Sequence, residues 1–471
     1  MLQHAVPSVG RVLITRPTSV TLRVWPLAFV FFTLYGLLSV TNHRQLGTTG
    51  FDLGIFEQIV RAYAGFEAPV SELKGPGFVM LGDHFHPILA TLAPLYWIFP
   101  SPITLLFAQA GLLAVSVVPV TRIAMSMVGR QAGFVIGVAY GLSWGLQTTV
   151  DFDFHEVAFA VPLLAFAIER LLREEWTAAV CWAAPLILVK EDLPLTVVAI
   201  GGYLWLKGQR RLGGWVMASG LVSFLLILKV LIPAMNPAGV YGFAGDLGKG
   251  FSWLDLPGRL FDHDKKLVLL LSVFAPTALL ALLSPVSLIA VPTLLWRLLS
   301  VNQSHWEAGF HYNAVLMPIV FLALADALAK GKLILPAQTY RKALRVVLSV
   351  CVVASVIGIT TLPLSKLTNA TTWQADPRVA TAHRLMDMIP DGATVAASNR
   401  LAPQLTDRTT VQLFPAIRPR TATDAEWIVV DTHFANWPTS AAAQAAELAG
   451  LRETEYRTVA EQDGYILLKR A

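Results

Sequence analysis

The chain has 471 residues, 55% hydrophobic and only 14% charged. An average soluble domain carries roughly 25% charged residues, so a water-exposed globule is excluded and long apolar runs read as membrane spans, each needing about 20 residues to cross the hydrocarbon. The formal charge of +5 is not gathered into a basic patch with interleaved aromatics, which leaves nucleic acid without support as a partner.

In chain order, Arg11, Arg16 and Arg23 precede an apolar run from Trp25 to Val40. This pattern is similar to a signal peptide, but the run is long and Thr41-Asn42-His43-Arg44 offers no small-residue cleavage site; an uncleaved first span is expected. Eleven spans follow from the apolar runs, at about 24–41, 103–122, 132–150, 156–172, 176–190, 192–207, 213–233, 266–283, 285–299, 311–329 and 344–363. With residues 1–23 as a cytoplasmic tail, Arg122, Arg130, Arg170, Arg173, Lys207, Arg210, Arg211, Lys330, Lys332, Arg341, Lys342 and Arg345 all fall on the cytoplasmic side, as positively charged short loops require. The outer side then receives 42–100, 151–155, 190–192, 234–265 and 300–310. Pro87 to Pro100 is apolar but only about 14 residues long, the length of an interfacial or re-entrant segment; counted as a span it would turn every later basic loop outward. Lys190-Glu191-Asp192 is expected to form the outer turn between two short spans, with Pro194 opening the second.

Residues 24–365 thus form an all-α polytopic membrane domain with a large first outer loop, and 370–471 change character. Ala393–Ser398, Thr410–Phe414, Trp427–Thr432, Thr458–Glu461 and Tyr465–Lys469 read as strands, with Gln462-Asp463-Gly464 as a hairpin turn. Asp376–Ile389 and Thr439–Leu451 read as helices. The expectation is a small α/β domain on the outer side. Cys181 and Cys351 lie in apolar runs and read as buried small hydrophobes.

Five polar clusters share that outer side. Phe51-Asp52-Leu53-Gly54 leads into a helix-period run, Ile55 to Val60, expected to lie along the membrane surface; Asp52 suits an N-cap as well as a cleft-facing carboxylate. The others are Asp83-His84-Phe85-His86-Pro87, Asp151-Phe152-Asp153-Phe154-His155-Glu156, Lys190-Glu191-Asp192, and Ser300 to Tyr312 with Asn302, His305, His311 and Tyr312. Five of the ten histidines lie in these stretches. Carboxylates and imidazoles gathered in one place suit a divalent cation, Mn²⁺, Mg²⁺ or Zn²⁺, with Asp83, His84, His86, Asp153, His155 and Glu156 as candidate ligands. Interfacial residues that cap helix ends in water would give the same stretches. Lys229 and Arg297 fall toward the outer ends of apolar runs, where a cation either holds a phosphate head group or snorkels to the interface.

FDLGIFEQ, followed in order by DHFHP, LAPLYWIFPSP, DFDFHE, KEDLP and SVNQSHW…GFHY, resembles a bacterial family of polytopic membrane proteins, domain of unknown function 2079, over about residues 40–330 and more loosely in the C-terminal part. That family is distantly similar to the C-type (GT-C) glycosyltransferases that use lipid-phosphate donors. The resemblance implies a plasma-membrane protein with its N-terminus cytoplasmic and its C-terminal domain extracytoplasmic. It implies transfer of a sugar from a polyprenyl-phosphate carrier at the outer face to a lipid, glycan or protein acceptor. Asp52 would be the catalytic carboxylate; Lys190, Glu191, Asp192, Asn302, His305, His311, Tyr312, Lys229 and Arg297 would bind substrate. A transporter or flippase of a lipid-linked or small polar substrate is the alternative from another class, although the halves show no internal repeat. A non-catalytic assembly partner is the third.

Overall fold

The computed structural model describes residues 18–247, 256–416, 424–434 and 437–471; Arg11 and Arg16 lie outside them. Five helices are long and apolar enough to cross a membrane: Val24–Arg44, Pro102–Val128, Arg210–Met235, His311–Ile334 and Ala337–Thr361. Shorter apolar helices of 10–17 residues cover Pro87–Ile98, Trp176–Leu188, Leu193–Leu206 and Pro285–Leu299. At 1.5 Å per residue these reach about 15–25 Å, less than the roughly 30 Å of the hydrocarbon.

Two predicted spans are interrupted. The run 132–150 becomes Arg130–Gly141 and Trp144–Phe152, broken at Leu142 and Ser143. The run 266–283 is helical only over Asp264–Phe274; a 3-10 turn containing Pro276 follows, and Ala278 and Leu279 adopt φ of 50° and 61°. Proline withholds a backbone donor and two left-handed residues cannot continue a right-handed helix, neither of which the apolar composition reveals.

The helix Pro102–Val128 starts with proline at its first position and Ser101 Oγ accepting from the Ile103 N–H at 3.3 Å. It ends at Gly129, whose φ of 102° turns the chain back into the next helix. With Val157–Leu172 and Leu316–Ile334 it builds the main core, where Leu113, Val117, Val161, Leu164, Phe321 and Leu324 are buried. By contrast Val222 and Ile357, on Arg210–Met235 and Ala337–Thr361, are 63% and 54% exposed, as side chains meeting lipid would be.

The helix directions sort charge to two ends. Glu169 pairs with Arg122 and Arg173 some 13 residues, about 20 Å, beyond Gln109 and Glu156 on their helices. Arg210 opens the helix whose far end, Met235, abuts Gly82; Lys330 and Lys332 close the helix that begins beside His311. The basic residues and the five polar stretches therefore occupy opposite ends of the bundle.

The C-terminal part is a five-stranded sheet of order β2-β1-β3-β5-β4. The strands are β1 (Thr394–Ala397), β2 (Thr410–Leu413), β3 (Trp427–Asp431), β4 (Tyr456–Gln462) and β5 (Tyr465–Arg470). β1 runs parallel to β2 and β3, with Ala396 opposite Gln412 and Ile428; β5 runs antiparallel to β3 and β4, with Val429 opposite Leu467. Every residue of β3 is buried, as the central strand of a covered sheet must be. The helices Pro377–Met386 and Ala441–Thr454 accompany the sheet. The domain docks on the first loop through one common core: Leu53, Phe56, Ile59 and Leu73 of the loop pack with Leu385, Val395, Leu413 and Leu467. Gln58 donates to the Val411 carbonyl at 2.9 Å, and Arg61 donates to the Thr406 and Thr409 carbonyls. The domain therefore stands at the same end of the bundle as the polar stretches.

Candidate functional site

Asp52 sits in a tight π-type turn, Gly50–Gly54, that leads into the amphipathic helix Ile55–Ala64. The helix start is Gly54, with no side-chain cap, so Asp52 is not its N-cap. Gly50 comes so close to the C-terminal domain that a Cβ would stand 2.6 Å from Ala402; its N–H donates to the Asn399 carbonyl at 2.6 Å, and the Phe51 N–H donates to Asn399 Oδ1 at 2.8 Å. Held this way, Asp52 presents Oδ1 to His155 Nε2 at 3.2 Å, with the carboxylate side chain 23% exposed and the imidazole 6%.

The stretch 151–156 supplies His155 at the end of the helix Trp144–Phe152. Asp153 is held at φ 138°, a conformation that costs a residue with a side chain roughly 1–3 kcal/mol and persists only where surroundings over-determine it. Here they do. The Thr49 N–H donates to Asp153 Oδ2 at 2.9 Å, the Thr49 hydroxyl lies 3.1 Å from the same oxygen and 3.4 Å from Asp52 Oδ2, and Gln109 donates to the Asp153 carbonyl at 2.8 Å. Gln109 Oε1 also accepts the His155 N–H at 3.0 Å. Burial and the neighbouring Asp52 carboxylate push Asp153 well above the usual carboxylate range. The His155 ring is wedged between aromatics: it stacks on His311 with centroids 3.6 Å apart and meets Phe56 and Phe152 at 5.2 Å.

The stretches 83–87 and 190–192 close on each other and on this pair. His84 Nδ1 lies 2.7 Å from Glu191 Oε1, and the Tyr241 hydroxyl donates to the same oxygen at 3.1 Å. Burial disfavours charge on both partners, but each favours the other's charged form more: His84 is raised above its ordinary 6.5, and Glu191 falls to about 2. Lys190 pairs with Glu156 at 2.7 Å and Asp83 with Lys74 at 2.8 Å. His86 is buried beside Phe56, has no hydrogen-bond partner on either ring nitrogen among the described residues, and is lowered to about 4 by that burial.

The last stretch brings a cation. Arg297 is fully buried; Nε donates to the His305 carbonyl at 2.7 Å and Nη1 to Asn313 Oδ1 at 2.8 Å, while Nη2 has no partner among the described residues. Its guanidinium lies 5.8 Å from the Tyr312 ring centroid, and Lys190 approaches the same ring at 6.0 Å. Tyr312 touches His311 and His305, with centroids 4.2 and 5.1 Å away. Asp192 accepts from the Trp296 indole at 3.1 Å. Asp52, His155, His311, Tyr312, Lys190 and Arg297 thus form one continuous chain of contacts, to which Glu156, Glu191, His84, Asp192 and His305 are joined.

Two predicted site residues stand apart. Lys229 is exposed on the outside of Arg210–Met235, and Asn302 is exposed and caps its own turn by accepting the Ser304 N–H. Among the described residues no group of three His, Cys, Asp or Glu side chains is placed to hold a metal ion. Of the donors foreseen for that role, Asp83 pairs with Lys74, Glu156 with Lys190, His84 with Glu191, His155 with Asp52 and Asp153 with Thr49, while both ring nitrogens of His86 have no hydrogen-bond partner among the described residues. Thr49, Lys74, Gln109 and Asn399 had not been singled out in the sequence. Gln109 alone left a trace there, as one amide inside an apolar run.

Sequence comparison with curated proteins finds no match. Comparison of folds finds the crystal structure of ArnT from Cupriavidus metallidurans bound to undecaprenyl phosphate, at a TM-score of 0.59 and 13% identity over 96% of this chain and 98% of that one. The same protein in its apo state gives a TM-score of 0.58 at 13% identity with the same coverage. At the level of sequence, a family model described as a predicted membrane protein, DUF2079, matches residues 42–467, and the chain belongs to that family.

Proposed function

We propose that the protein is a membrane glycosyltransferase of the C type, which takes a sugar from a polyprenyl-phosphate carrier at the outer face of the membrane and passes it to an acceptor. One observation carries the reading. A half-buried carboxylate backed by an imidazole, Asp52 with His155, is joined by continuous contacts to Arg297, a fully buried guanidinium that has a free N–H and no carboxylate partner among the described residues. A buried cation of that kind is costly unless an anion answers it, and a phosphate ester does so. The fold shared with ArnT, crystallised with undecaprenyl phosphate, supports a lipid-borne donor.

In this reading Asp52 accepts the proton of the acceptor nucleophile as a general base. The nucleophile bonds to the anomeric carbon as the bond from that carbon to the carrier phosphate breaks, and Arg297 holds the phosphate, which is anionic in the bound donor and in the departing carrier alike. The basic end of the bundle faces the cytoplasm and the C-terminal domain lies outside, as positively charged short loops require.

The test is transfer of labelled sugar in membranes from a panel of polyprenyl-phosphate sugars, comparing the wild type with Asp52→Asn. Transfer by the wild type and its loss in the variant are expected. Equal transfer by both would remove Asp52 from the chemistry, and no transfer from any donor in the panel would remove the reading.

A further inference from the structure

Beside the Asp52 turn the C-terminal domain presents an aromatic and basic patch that the donor chemistry does not use. Trp437 is 65% exposed, and its ring meets the edge of Phe51 with centroids 5.0 Å apart. Asn399 fixes this arrangement, because its side chain accepts from the Phe51 N–H and donates to the Trp437 carbonyl at 2.8 Å. The next residue, Arg400, lies 4.3 Å over the ring of Phe434, itself 42% exposed. Behind Phe434 the ladder continues with Arg378, 5.2 Å from that ring and 4.3 Å from Tyr465.

The charges in this ladder are unequal. Arg378 is answered by Asp431, and Lys74, on the other side of Phe51, by Asp83. Arg400 makes no hydrogen bond or ion pair among the described residues, so its charge and donors are free. An exposed indole offers an apolar face to the C–H face of a sugar ring. A free guanidinium held flat by an aromatic offers a forked donor to a carboxylate or phosphate. Both flank Asn399, which ties the domain to the backbone carrying Asp52.

We propose that Trp437 and Arg400 form the binding site for the acceptor, and that the acceptor is an anionic saccharide, one bearing a carboxylate or phosphate group. Its role as acceptor rests on the glycosyltransferase reading; the saccharide site itself does not. A membrane surface would also take exposed aromatics and a cation, but the patch abuts the Asp52 turn through Phe51 and Asn399, where an acceptor has to arrive.

The experiment is equilibrium binding to the full chain in nanodiscs of zwitterionic lipid, with trigalacturonic acid and a neutral galactose trisaccharide as probes. The charged trisaccharide is expected to bind about tenfold or more tightly than the neutral one, the worth of one charge-assisted contact. Arg400→Gln should erase that preference, Arg400→Lys should keep part of it, and Trp437→Ala should weaken both probes about tenfold. Equal binding of the two probes by the wild type, binding of neither, or wild-type affinities in Arg400→Gln and Trp437→Ala would each overturn the proposal. A chain that binds as expected but transfers no sugar would sink the glycosyltransferase reading and leave this site standing.

Discussion

His155 Nε2 stands 3.2 Å from Asp52 Oδ1, with the imidazole behind and the carboxylate in front. The order is the reverse of a hydrolytic triad, in which a buried carboxylate orients an imidazole that does the proton transfer. Here the more exposed group is the carboxylate, and the imidazole, packed on His311, Phe56 and Phe152, fixes one of its oxygens. In the proposed transfer Asp52 is the acting group and His155 its positioning residue.

Replacing His155 should consequently cost rate more than donor binding. His155→Gln leaves an amide able to reach Asp52 but breaks the ring stack, and it is expected to lower kcat roughly 10–100-fold, the size of effect a misplaced group produces, with the donor KM changed less than about threefold. Steady-state transfer kinetics with the donor varied would check this. A kcat within twofold of wild type would show that Asp52 does not depend on His155.

Arg297 should show the opposite division. Loss of a charged donor to a bound phosphate costs about 1.5–3 kcal/mol, which is roughly 10–150-fold in affinity. Arg297→Gln is expected to raise the donor KM by at least tenfold. It also releases the His305 carbonyl and Asn313, so Arg297→Lys is the control: it keeps the charge without the fork and should recover part of the loss. Donor KM in either variant equal to wild type would place the phosphate elsewhere.

The sequence displayed the parts of the site more clearly than their connections. The sheet was legible because its strands are short runs rich in β-forming residues, separated by strong turn signals such as Asp463-Gly464, and the observed strands start and stop within about two residues of the predicted ones. The breaks at Leu142–Ser143 and at Ala278–Leu279 were not, because hydrophobicity registers burial in lipid and is blind to backbone conformation. Within the site, short polar stretches stood out against apolar surroundings. Which residues point inward did not: Asn302 shares the composition of its stretch and differs only in direction, and Lys229, a lone cation in an apolar run like Arg297, carries no mark of the side it faces. Asn399 lies 348 residues from its partner Phe51, and no local pattern encodes a contact at that separation.

The pair of His84 and Glu191 makes stability depend on pH in a definite direction. Glu191 is held at about 2, below its ordinary 4.5, so its contribution is complete above 4.5 and is lost as the pH falls toward 2. His84 is raised above 6.5, so its contribution is complete below 6.5 and fades as the pH rises through the raised value. The two overlap fully between about 4.5 and 6.5. His84→Gln is expected to lose about 1–3 kcal/mol of stability in that window and less at alkaline pH, read as the difference in Tm between wild type and variant in detergent across pH 4 to 9. A difference that grew with pH would mean the imidazole is neutral in the fold.

Gln109 tests whether the bundle itself sets the site. It is fully buried on Pro102–Val128 and serves two backbone groups closely, the Asp153 carbonyl at 2.8 Å and the His155 N–H at 3.0 Å, with the Thr149 carbonyl a third, longer partner at 3.3 Å. Gln109→Leu conserves volume but strands both groups, and each buried unsatisfied group costs about 1–3 kcal/mol. The strained Asp153 would also lose one of the contacts that hold it, and His155 would be free to leave Asp52. The variant should therefore fall in Tm and in kcat together, whereas His155→Gln should fall mainly in kcat. Gln109→Glu separates the two bonds: it can still accept from His155 but turns an acceptor toward the Asp153 carbonyl, so it should be no more stable than Gln109→Leu. If Gln109→Leu kept wild-type Tm and transfer rate, the geometry around Asp52 would have to be set by the outer loop and the C-terminal domain alone, without help from the membrane helices.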